Sequence, residues 1–93
     1  MTLEQMREFV ILAEERNYLV AADMLYSTQA TLSRHIMAME KELGFPLFTR
    51  STKRIELTQE GSRFLVYARR AMKLQDEYLA ELKYAKRSMS ESL

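Results

Sequence analysis

The sequence has no cysteine and no tryptophan, one proline, one histidine and two glycines. Each scarcity removes a class of molecule. Without cysteine there is no disulfide framework and no thiolate metal site. A single histidine, His35, excludes a multi-histidine metal centre. So few glycines and prolines leave the chain few places to break, which predicts a mainly α protein. No apolar run is long enough to span a bilayer. The chain starts with an acidic amphipathic stretch, not a basic region and an apolar core, so no signal peptide is expected and a cytoplasmic location fits. Ninety-three residues, 47% hydrophobic and 29% charged, suit one small globular domain with an appendage.

Net charge is only +1, but it is unevenly spread. Residues 1–16 set Glu4, Glu8, Glu14 and Glu15 against Arg7 and Arg16. Residues 28–54 set Arg34, Lys41, Arg50, Lys53 and Arg54 against Glu40 and Glu42. The middle of the chain is therefore its basic part, the footprint expected of a surface that meets a polyanion.

Apolar spacing predicts the elements. Met6, Phe9, Val10 and Ala13 form one stripe of a helix over about 3–16, with Thr2 and Gln5 placed as a capping box. Asn17 ends it or caps the next, a short helix in "YLVAADMLY" whose Ala21 and Ala22 admit a close neighbour. Ser27 or Thr28 starts a third helix running to Leu43, stopped by Gly44 and Pro46. "PLFTRSTKRIEL" then alternates as two short strands around a basic turn. Thr58 caps a long last helix over about 59–88, and Gly61 in its first turn signals close packing.

The third helix has an unusual outer face. Leu32, Ile36, Met39 and Leu43 make its buried stripe, while the rest of "STQATLSRHIMAME" is small and hydrogen-bonding. Base edges require compact, directional donors and acceptors. Gln29 suits adenine, Arg34 suits guanine, Ala30 and Thr31 suit a thymine methyl, and Ser33 suits a phosphate or a base. Lys53 and Arg54 fall at the tip of the basic turn, where a narrow minor groove attracts cations. A short helix, a tight turn and a second helix followed by such a hairpin form a winged helix-turn-helix, whose last helix enters the major groove. His35 reads as a packed or solvated side chain. Arg50 reads as a structural partner of Glu40 or Glu42, with phosphate contact the alternative.

The run "FVILAEERNYLVAADMLYSTQATLSRHIMAMEKELGFPLFTRSTKRIELTQEG" resembles the N-terminal DNA-binding domain of LysR-type transcriptional regulators. The resemblance rests on Phe9, Ala13, Ala21, Ala22, Leu25 and Gln29, then Leu32, Ser33, Arg34 and Ile36. It continues through Glu40, Leu43, Gly44, Leu47, Phe48, Arg50, Leu57, Thr58 and Gly61. It implies a winged helix-turn-helix over 1–58, with the helix-turn-helix about 18–37 and the wing about 47–57. A linker helix over 59–93 would pair with a partner's. It also implies a C-terminal ligand-sensing domain, absent from these residues, which would hold any small-molecule effector. The DNA contacts it implies are Thr28, Gln29, Ala30, Thr31, Ser33 and Arg34, with Lys53 and Arg54 in the wing. The sequence departs from the family at Ala30, where proline is usual, at Ser27, where an aliphatic is usual, and at Leu19, where a serine or threonine cap is usual; Asn17 is the substitute cap. The molybdate-responsive regulators have a similar DNA-binding domain and are the alternative family.

The long helix carries more apolar surface than a small domain can cover. Leu65, Ala68, Met72, Leu79 and Leu82 are its expected dimer interface, and a two-fold homodimer would present two recognition helices to a two-fold-related duplex operator. The competing class is a helical protein–protein adaptor with an incidental basic turn. Catalysis is not expected. Glu14–Glu15 and Asp76–Glu77 are adjacent pairs that do not face each other on a helix, and Ser33 shares its helix with His35. No cofactor, metal or membrane is implied.

Overall fold

The computed structural model describes residues 1–49 and 55–91. Four helices follow one another: α1 (Leu3–Glu15), α2 (Tyr18–Met24), α3 (Gln29–Leu43) and α4 (Gln59–Glu91). Each start is set by a side chain that accepts an otherwise orphaned backbone N–H. Thr2 and Gln5 form the expected capping box, with both bonds at 3.1 Å. Asn17 Oδ1 accepts from the Val20 N–H at 3.0 Å and so caps α2. Thr28, rather than Ser27, caps α3: its Oγ1 accepts from the Thr31 N–H at 3.1 Å. Thr58 Oγ1 accepts from the Gly61 N–H at 2.9 Å and opens α4.

The ends are equally local. Arg16 closes α1 and Gly44 closes α3, both in the left-handed region, at φ 55° and 83°. Tyr26, in the turn between α2 and α3, also has positive φ, 53°. That turn is pinned by Tyr26 N–H donating to the Asp23 carbonyl and Ser27 N–H to the Ala22 carbonyl, at 3.1 and 2.9 Å.

The core lies where the first three helices meet the base of the hairpin and the start of α4. Phe9, Leu12, Ala21, Leu32, Ile36, Met39, Leu47 and Ala68 are all buried. Phe9 is its hub, with ring centroids 5.4 Å from Phe48 and 5.1 Å from Phe64. One aromatic thus ties α1 to the hairpin base and to α4, in the tilted and edge-on geometries that rings prefer.

The two strands expected over 47–57 are not present among the described residues. Their place is taken by a single antiparallel bridge, Phe48 with Leu57, flanked by Thr49 N–H to the Glu56 carbonyl (2.8 Å) and Thr58 N–H to the Leu47 carbonyl (3.0 Å). The N–H groups of Leu47 and Phe48 are turned to the buried Glu40 carboxylate, at 2.7 and 3.4 Å, which ties this base to α3.

Gly61 is needed where it sits. A Cβ there would collide with the Leu47 carbonyl oxygen and lie 3.0 Å from its carbon. Beyond Met72, α4 leaves the body. Its 33 residues extend about 50 Å at 1.5 Å each, which gives the molecule its 60 Å long axis.

Candidate nucleic-acid interface

Packing of α3 decides which of its residues face outward. Leu32, Ile36 and Met39 point into the core, so Gln29, Ala30 and Arg34 are exposed and Thr31 and Ser33 lie half-exposed at the edge. The outer face is therefore small, polar and cationic, as the spacing predicts. Its N-terminal end is internally organised. Thr28 Oγ1 donates to Thr31 Oγ1 at 3.0 Å, and Arg34 Nη2 donates to the same Thr31 oxygen at 3.2 Å. The guanidinium is thus drawn back along the helix toward its N-terminus, beside the N–H groups that favour anions there.

The structure brings Thr28, Gln29, Ala30, Thr31, Ser33 and Arg34 together on one surface. Arg50, Lys53 and Arg54 lie outside the described residues, as does the tip of the expected wing.

One pairing behind this surface was not legible in the sequence. Glu8 of α1, only 6% exposed, receives the His35 ring: Nδ1 is 2.8 Å from one carboxylate oxygen and 3.0 Å from the other. An ionised carboxylate only accepts, so toward it Nδ1 is the donor. His35, expected as a packed or solvated side chain, is half-exposed and fastens α3 to α1 next to Arg34. Glu40 does comparable work at the other end, as the buried acceptor that anchors the hairpin base to α3.

The α4 residues expected at a dimer seam divide into two groups. Ala68 is fully buried in the chain's own core, and Leu65 and Met72 pack partly against that core. Leu79 and Leu82, at 47% and 46% exposure, lie beyond it. No helix among the described residues is long and apolar enough to cross a membrane.

Comparison with known proteins agrees with this geometry. The family described as "Bacterial regulatory helix-turn-helix protein, lysR family" matches residues 3–62. The HTH-type transcriptional regulator BudR of Raoultella terrigena is 41% identical over all 93 residues, which cover 32% of its own length. Among solved structures, the DNA-binding domain of BenM in complex with benA site 1 DNA superposes with a TM-score of 0.86 at 36% identity, over 89% of this chain and 93% of that one. Vibrio fischeri DarR in complex with DNA superposes at 0.87 and 28% identity, over 94% of this chain and 30% of that one. The chain spans about a quarter to a third of the length of the first curated relatives it matches.

Proposed function

Because the chain belongs to the LysR family of bacterial regulatory helix-turn-helix proteins, we propose that it binds double-stranded DNA sequence-specifically and regulates transcription, with α3 as the recognition helix. The observation that carries this reading is the outer face of α3: Thr28, Gln29, Ala30, Thr31, Ser33 and Arg34 converge on one surface while the opposite stripe is buried. A helix carrying an arginine and a glutamine on a face of small residues fits the major groove, where those two side chains discriminate guanine and adenine. The role is binding, not catalysis.

The finer parts of the proposal follow from the chain's shape. Residues 1–58 form the DNA-binding unit and 59–93 the linker. The hairpin based on the Phe48–Leu57 bridge is a wing that brings Lys53 and Arg54 to the DNA backbone. Two chains associate through α4, chiefly by Leu79 and Leu82, and present two α3 helices to a two-fold-related operator. A ligand-sensing domain for a small effector belongs to a longer protein of which this chain is the DNA-binding part, acting in the cytoplasm.

Titration of a labelled duplex at two salt concentrations tests the proposal against the adaptor alternative. Phosphate contacts release counterions, so binding weakens steeply as salt rises, and replacing Lys53 or Arg54 by alanine lowers the slope by about one per lost contact. No duplex binding at low salt defeats the proposal. An unchanged slope in both variants removes the wing from it.

A further inference from the structure

The outer face of α3 holds one large apolar residue that neither the core nor the contacts above account for. Met37 is 53% exposed, while Met39, two positions on, is 1% exposed. At about 100° per residue, Met37 shares the outward side with Ala30, Arg34 and Lys41. Its neighbours on that side are thus an alanine and two cations, on the surface that the proposed function turns toward DNA. An apolar thioether left in water there adds nothing to the fold, because its contacts lie outside the core formed by Leu32, Ile36 and Met39.

We propose that Met37 is a specificity-determining residue that packs against the C5-methyl of a thymine in the major groove. The inference rests on the reading of α3 as a recognition helix. The chemistry is the apolar counterpart of the arginine contact. The thymine methyl is the only apolar group a base pair presents in the major groove. Methionine is unbranched, with three rotatable bonds and a polarisable sulfur, so it reaches and adapts where the shorter Ala30 does not. Register gives the position of the base. Met37 is three residues after Arg34, about 4.5 Å further along the helix axis. Base pairs are spaced 3.4 Å apart. With α3 lying along the groove, a guanine held by Arg34 places the thymine one or two base pairs away, on the side toward which α3 runs. Lys41, four residues further, continues the same face and meets the flanking phosphate.

The test uses duplexes selected by the chain from a random pool. Each conserved thymine of the selected site is replaced in turn by deoxyuridine, which removes only the methyl. The parent should lose about fourfold in affinity at one thymine per half-site, the worth of one buried methyl group. Met37→Ala should bind the unmodified site about as weakly as the parent binds the uracil site, and should be indifferent to the uracil at that position. Met37→Leu keeps an apolar reach and should retain the discrimination. Met37 is exposed on the helix surface, so both variants fold, which circular dichroism checks. If the parent binds its selected site but Met37→Ala leaves the uracil penalty at every thymine unchanged, the assignment is overturned. If no site can be selected at all, the DNA-binding reading fails, and this inference fails with it.

Discussion

Glu8 and His35, 27 positions apart, form the polar clasp between α1 and α3, with Nδ1 held 2.8 Å from the carboxylate. The carboxylate is buried and the ring is at the rim. Glu8→Ala should cost about 1–3 kcal/mol, the range for a buried hydrogen bond broken from one side. Glu8→Gln should cost less, because the amide oxygen still accepts from Nδ1. Urea unfolding of the three proteins checks the order. Nitrogen-15 NMR of the imidazole checks the tautomer: hydrogen on Nδ1 in the parent, and loss of that preference in Glu8→Ala.

The two glycines fail differently when replaced. Gly44→Ala meets open space but places a side chain at φ 83°, a strain of roughly 1 kcal/mol. Gly61→Ala meets the Leu47 carbonyl. Alanine would gain about 0.5–1 kcal/mol in helix propensity, yet the carbonyl is held in place, since it accepts from the Thr58 N–H at 3.0 Å. Overpacking wins, and a net loss of about 1–3 kcal/mol is expected. Thermal unfolding should therefore place Gly61→Ala at or below Gly44→Ala. A Gly61→Ala protein as stable as the parent would mean that α4 does not start against Leu47.

Features set by neighbouring residues were legible from sequence. The caps at Thr2 and Thr58 and the left-handed stop at Gly44 depend on four or five consecutive residues and are found where the spacing places them, and the structure decides between the alternatives at Asn17 and at Ser27 or Thr28. The outer face of α3 was legible for the same reason, since the buried stripe fixes its opposite. What escaped depends on how helices meet. The Glu8–His35 clasp and the use of Glu40 as a backbone acceptor join segments whose approach no local pattern encodes. The alternation of Ile55, Glu56 and Leu57 suggests a strand, and among the described residues it amounts to the single Phe48–Leu57 bridge. Ala68 matched the seam by spacing alone, and burial assigns it to the core instead.

Leu79 and Leu82 carry the proposed dimer. Both lie past the core, so replacing them with glutamate spares the fold and puts unpaired charge into an apolar seam. Sedimentation equilibrium should show a dimeric parent and a monomeric Leu79→Glu/Leu82→Glu protein with unchanged helix content. Operator affinity should fall, because the second half-site is no longer tethered to the first. A monomeric parent at high micromolar concentration, or a dimeric double variant, would remove α4 from the interface.

The most direct measurement compares the parent and Arg34→Ala on a selected operator and on a random duplex of equal length. Arg34 is exposed, and among the described residues its hydrogen bond is to Thr31, so its loss leaves the fold intact and isolates base reading from stability. If α3 reads base pairs, the variant loses about 1–3 kcal/mol on the operator and much less on the random duplex, so the specificity ratio collapses. Equal affinities of parent and variant for the operator, or an equal loss on both duplexes, would contradict the assignment of α3 as the recognition helix.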